Sequence, residues 1–124
     1  MPKILIVEDD PFLSEMYATK LTQEHFEVET AIDGKEVLKK AKDLMPDLIL
    51  LDIVLPKMDG FEVLQKIKKD PELQAIKVIA LTNLGQKEEV EKGLQLGADD
   101  YIVKAHFTPS EVIAKVKQIL NTKK

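Results

Sequence analysis

At 124 residues the chain is the size of one domain, and such a domain buries roughly two thirds of its unfolded surface. Hydrophobic residues make up 44% and charged residues 32%, ordinary globular material, and the lack of cysteine excludes disulfides, thiolate metal sites and thiol nucleophiles. The net charge is −4, with 18 lysines and no arginine, which argues against direct nucleic-acid binding, and no apolar run nears the roughly 20 residues that cross a bilayer.

Met1-Pro2-Lys3 leads straight into Ile4-Leu5-Ile6-Val7, an apolar run that predicts an interior strand and no signal peptide, so a cytoplasmic location is the expectation. Asp10 suits a helix N-cap and Pro11 the first helical position, with Leu13, Met16, Tyr17 and Leu21 as the buried stripe. Glu27-Val28-Glu29-Thr30-Ala31 alternates polar and apolar, as a half-exposed edge strand does. A second helix follows the Asp33-Gly34 turn, marked by Val37, Leu38, Ala41 and Met45, and Pro46 stops it. Asp47-Leu48-Ile49-Leu50-Leu51-Asp52 then reads as a strand buried on both faces. Asp59-Gly60 starts a third helix, with Phe61, Leu64 and Ile67 inward, and Asp70-Pro71 breaks it. Val78-Ile79-Ala80-Leu81 is a fourth strand ending on Thr82. A weaker helix over about residues 86 to 96 offers Val90 and Leu94 and contains Gly93, which costs about 1 kcal/mol relative to alanine. Tyr101-Ile102-Val103 is a fifth strand ending on Lys104, and Thr108 or Pro109 opens a last helix striped with Val112, Ile113, Val116, Ile119 and Leu120.

Strands and helices thus alternate five times, which predicts an α/β fold: a doubly wound parallel sheet with helices on both faces. Placing the alternating strand at an edge and the apolar strands inside gives the order 2-1-3-4-5, with its switch point between the first and third strands. All strands of a parallel sheet end on one side. Glu8 and Asp9, Asp52, Thr82 and Lys104 therefore converge on a single rim.

Alone, each residue has an ordinary explanation: Asp10 a cap, Glu8 or Asp9 a loop acid, Asp52 a turn residue, Lys104 a surface charge. Together they form a chemical set. Clustered carboxylates repel and raise one another's pKa unless a cation joins them, and a hard divalent ion such as Mg²⁺ fits oxygen donors. Lys104 adds charge to neutralise a phosphoryl group, Asp52 is the nucleophile that forms an aspartyl-phosphate, and Thr82 can donate to a phosphoryl oxygen. His25 and His106 lie far apart with no ligand partner in spacing.

Five stretches now carry a resemblance: Ile4 to Pro11 (with Glu8-Asp9-Asp10), Asp47 to Asp52, Leu55-Pro56-Lys57-Met58-Asp59-Gly60, Leu81-Thr82, and Gly97-Ala98-Asp99-Asp100-Tyr101-Ile102-Val103-Lys104. In this order they resemble the receiver domain of two-component response regulators, a flavodoxin-like fold related to chemotaxis regulators, over residues 1–124. The resemblance implies that Asp52 takes a phosphoryl group from a sensor histidine kinase or a histidine phosphotransfer protein. It implies Mg²⁺ held by Asp9, Asp52 and the backbone carbonyl of Val54, with Glu8 acting mainly through water. Lys104 contacts the phosphoryl group, and Thr82 and Tyr101 form a switch pair. The fourth helix is the expected bistable element, and the surface of the fourth helix, fifth strand and fifth helix the expected output contact, either a homodimer or a downstream protein. The chain is then a stand-alone receiver or the receiver half of a regulator with a fused output domain.

Two departures stand out. Relatives usually follow this lysine with proline in a cis peptide, whereas Ala105 stands here, so the bond is either cis at a cost of about 2.5–4 kcal/mol or relaxed to trans. Asn83 replaces a small residue after Thr82. Val54 and Leu84 stand at positions that, by the same resemblance, help set how fast the phosphate is lost; being apolar, neither can orient an attacking water, which predicts slow self-dephosphorylation. The competing reading is a Mg²⁺-dependent phosphatase with an aspartyl-phosphate intermediate, but its general acid would stand at Val54. A flavin binder is excluded, because Glu8-Asp9-Asp10-Pro11 would repel a cofactor phosphate.

Overall fold

A computed structural model describes residues 2–54, 59–82 and 87–121. The elements run β1 (Lys3–Val7), α1 (Pro11–Gln23), β2 (Glu27–Ala31), α2 (Gly34–Leu44), β3 (Leu48–Asp52), α3 (Gly60–Lys69), β4 (Lys77–Thr82), α4 (Lys87–Gln95), β5 (Asp100–Val103) and α5 (Pro109–Asn121), with a 3-10 turn at Lys104–His106. The strands form one parallel sheet in the order β2-β1-β3-β4-β5, as the hydrophobic patterns require.

Alternate strand residues feed two cores. Leu5, Val7, Ile49, Leu51, Val78 and Ala80 pack with α2 and α3, while Ile4, Ile6, Leu48, Leu50, Ile79 and Leu81 pack with α1 and α5. Both faces of β1, β3 and β4 are therefore dry, which explains their unbroken apolar runs. β2 has one neighbour only and is largely exposed.

Helix starts follow their caps. The Asp10 side chain accepts from the amides of Phe12 at 3.0 Å and Leu13 at 3.3 Å, ahead of Pro11. Thr108 and Glu111 form a capping box: the Glu111 amide donates to Thr108 Oγ1 at 3.2 Å and the Thr108 amide to Glu111 Oε1 at 2.8 Å.

Three stripe residues depart from expectation. Met16 is 44% exposed because Leu13, Tyr17 and Leu21, four residues apart, form the seam of α1, and Met16 instead shares a face with the exposed Phe12. Met45 is not in α2 but caps it with φ +46, and its side chain is exposed. Leu94 is 48% exposed because α4 turns Gly93 inward rather than its leucine.

Candidate functional site

Strand register builds the site. Val7 pairs with Leu51, so Glu8 follows beside Asp52; Asp52 pairs with Leu81 and Thr82 with Val103, so Thr82 and Lys104 each stand one residue further along the rim. The helices that follow β1 and β3 pack on opposite faces, and the acids fill the gap this opens. Glu8, Asp52 and Thr82 are the buried polar or charged residues among those described, with Asp52 only 4% exposed. Asp9 is on the surface.

Carboxylate oxygens of Glu8, Asp9 and Asp52 all lie within 4.8 Å of one another. Two full charges at such a separation repel by about 3–4 kcal/mol at an effective dielectric of 20. Lys104 answers part of this: its Nζ donates to Glu8 Oε1 at 2.6 Å and to Asp52 Oδ2 at 3.1 Å. The other oxygens are held by backbone amides. Val54 N–H donates to Asp52 Oδ1 at 3.0 Å and Asp10 N–H to Glu8 Oε2 at 3.2 Å. One lysine does not balance three acids, so the cluster fits a divalent cation with oxygen ligands.

Burial pushes the Glu8 carboxyl up from its usual 4.5 to about 7; Lys104 opposes this and the nearby Asp52 charge adds to it. For Lys104, burial is the largest single influence and pulls its pKa down. The hydrogen bonds and charges of Glu8 and Asp52 together outweigh it, and the ammonium ends above its usual value. Tyr17 is only 2% exposed, and burial raises its phenol, with the charges of Lys104, Glu8 and Asp52 all reaching it. The sequence placed Tyr17 in the core of α1 but gave no sign that it lies beneath the acid pocket.

The Lys104–Ala105 peptide is trans, since no described peptide is cis, and Lys104 nonetheless reaches both acids. The open alternative at Ala105 thus resolves to trans: Lys104 opens a short 3-10 turn, and no proline ring has to be accommodated. Burial raises the Tyr101 phenol, and the neighbouring Thr82 side chain lowers it. Leu55-Pro56-Lys57-Met58, and Asn83 and Leu84 with their bearing on phosphodonor access and dephosphorylation, lie outside the described residues. His25 sits in the turn after α1 with φ +70, and His106 ends the 3-10 turn.

Gly60 sets the start of α3 tightly against the end of β3. Its amide donates to the Ile53 carbonyl at 2.8 Å, and a Cβ at this position would lie 2.4 Å from Ile53 Cα and 2.7 Å from the Asp52 carbonyl oxygen. Only glycine permits that approach.

The family model described as response regulator receiver domain matches residues 4–117. The chain belongs to this family. As a receiver domain it is a phosphorylatable signalling switch rather than an enzyme, which removes the phosphatase reading. The receiver is 42% identical over 120 residues to the DNA-binding dual master transcriptional regulator RpaA of a Synechocystis strain, covering 97% of this chain and 49% of that protein. A CheY-like response regulator receiver from Methanospirillum hungatei superposes with a TM-score of 0.90 at 34% identity, covering 98% and 95% of the two chains. The BeF3-activated N-terminal receiver domain of Klebsiella pneumoniae RstA gives 0.84 at 28% identity, covering 95% and 97%. The receiver spans about half the length of the first curated relatives it matches. Among the described residues no helix is long and apolar enough to cross a membrane.

Proposed function

We propose that Asp52 is the phosphoacceptor and that residues 1–124 form one receiver domain working in the cytoplasm. One observation carries this reading: the buried Asp52 carboxylate lies 3.1 Å from Lys104 Nζ and within 4.8 Å of Glu8 and Asp9 oxygens. An Asp52 oxygen attacks the phosphorus of a phosphohistidine on a sensor histidine kinase or phosphotransfer protein. The P–N bond breaks, and the imidazole leaves with the electron pair and takes a proton. Lys104 then exchanges part of its hold on Glu8 for a phosphoryl oxygen.

The acid set fits Mg²⁺, which supplies charge neutralisation on the phosphoryl oxygens when bound. Asp9 and Asp52 would ligate it directly with the Val54 carbonyl, and Glu8 through water. Thr82 turns its hydroxyl to the phosphoryl group, and Tyr101 follows as the second half of the switch. The changed surface of α4, β5 and α5 then meets a downstream protein, a fused output domain or a second copy. Given the half-length match to longer regulators, a fused output domain is the reading we favour.

Incubation with Mg²⁺ and acetyl phosphate tests the acceptor. Intact-mass measurement should show one added phosphoryl group on the wild type and none on Asp52→Asn. Labelling of Asp52→Asn to the wild-type extent would refute the assignment.

A further inference from the structure

We propose that Gly93 is a positioning residue for the switch: its missing side chain leaves a hollow in α4 that seats the Tyr101 ring where the phenol meets Thr82. This inference rests on the reading of Thr82 and Tyr101 as the switch pair.

Gly93 has no conformational need to be glycine. Gly97 is the described glycine with positive φ, whereas Gly93 lies inside α4 with ordinary backbone angles. In a helix interior glycine is a poor choice, so space is the remaining reason for it. A Cβ on Gly93 would lie 2.6 Å from Tyr101 Cδ2 and 2.8 Å from Cε2, well inside van der Waals contact. On its other side the same Cβ would stand 3.6 Å from Phe61 Cε1, an ordinary contact. The conflict is therefore with Tyr101 alone.

The side chain yields before either backbone does. Tyr101 is paired in β5 opposite Ala80, and the Gly93 carbonyl accepts from the Ala98 amide at 3.1 Å, fastening the end of α4 to the entry of β5. Lys92 adds a second tie, with its Nζ 4.6 Å from the Phe61 ring centroid. What can move is the Tyr101 side chain, half-buried and turning on χ1. An alanine at 93 would swing the ring outward and draw its phenol away from the Thr82 side chain.

NMR of protein carrying ¹³C-labelled tyrosine rings tests this, since the chain has two tyrosines and Tyr17 serves as internal reference. In metal-free wild type the Tyr101 ring should show cross-peaks to Gly93 Hα and the Thr82 methyl. In Gly93→Ala the Thr82 cross-peak should vanish and the Tyr101 ring shifts approach solvent-exposed values, with Tyr17 unmoved. A purely structural glycine would not move these signals, and helix propensity alone would make the alanine variant more stable.

Beryllofluoride with Mg²⁺ then reads the consequence. The backbone shift changes it induces over residues 87–95 should shrink in Gly93→Ala, while adding Gly93→Ala to Tyr101→Ala should change nothing further. Retention of the Thr82 cross-peak in Gly93→Ala would overturn the proposal, as would an equal effect of the glycine change in the Tyr101→Ala background. If Gly93→Ala alone fails to fold, recovery in the double variant supports the seat, and failure there overturns it. Because the seat is read before any phosphoryl chemistry, a chain that failed to label at Asp52 would leave this result standing.

Discussion

The two halves of the rim are built differently. Around β1 and β3 the acid pocket is fixed by backbone: Gly60 is wedged against Ile53, the Ile53 amide donates to the Leu81 carbonyl at 3.0 Å, and Asp52 and Glu8 accept from main-chain amides. Around α4 and β5 the hold is thinner. The helix has nine residues and exposes Leu94, and among the described residues it is tied at the Gly93 hollow, by the Lys92 ammonium over the Phe61 ring and by the Gly93 carbonyl bonded to the Ala98 amide. The contrast teaches where motion is inexpensive. A site that must present charge with fixed geometry belongs on the stiff half, and a surface that must report occupancy belongs where local stability is low.

The contrast can be broken most severely at Gly60. Gly60→Ala forces a Cβ into backbone atoms that cannot rotate away, so an unfolding free energy lower by about 2–4 kcal/mol is expected from urea titration. The same substitution at Gly93 meets only a movable ring, and its stability should change by less than about 1 kcal/mol in either direction. Equal losses at the two glycines would erase the distinction between halves.

Next comes Lys104. Lys104→Met removes the cation bonded to both acids, and acetyl-phosphate uptake at saturating Mg²⁺ should slow by about 100-fold, as when a preorganised donor to developing negative charge is lost. The sign for stability is opposite at low and high pH, because the carboxylates left behind can be neutralised only by protons or metal.

The pH dependence of the metal-free protein sharpens the picture of the stiff half. Glu8 binds its proton more tightly folded than unfolded, so between its usual 4.5 and about 7 the native state holds more protons. Its contribution is present in full below pH 4.5 and is lost as pH rises towards about 7, amounting to roughly 1–3 kcal/mol. Urea midpoints measured in chelator from pH 5 to 7.5 should fall for the wild type, and this component should be absent in Glu8→Gln. Adding Mg²⁺ above pH 7 should restore the lost stability. The smallest effect is expected at Leu94→Lys on the exposed side of α4, within about 0.5 kcal/mol of wild type.

The fold was legible in the sequence because burial on both faces leaves an unbroken apolar signature in β1, β3 and β4, and β2 shows its edge position by alternation. The rim residues were legible for the same reason: once the strands are placed, Glu8, Asp52, Thr82 and Lys104 can only share one side. Less visible was anything set by contact between elements distant in sequence. Met16 and Leu94 fit helical spacing but face solvent, since spacing does not say which of two adjacent stripes is covered. Tyr17 looked like core filling, and only the packing of α1 shows its phenol within reach of the pocket charges. Gly93 read as a weakness of α4, although a glycine inside a helix between Thr82 and Tyr101 was itself a sign of close approach. The trans peptide after Lys104 could not be read, because absence of proline leaves the isomer open while the lysine can still reach the acids.

Mapping the phosphoryl group tests the central claim most directly. Wild-type protein is treated with Mg²⁺ and acetyl phosphate, trapped by borohydride reduction of the acyl phosphate, digested and sequenced by mass spectrometry. The expected result is a single reduced residue, homoserine at position 52, which disappears when Mg²⁺ is chelated. Modification at Asp9, Glu8 or elsewhere with position 52 intact would contradict the account.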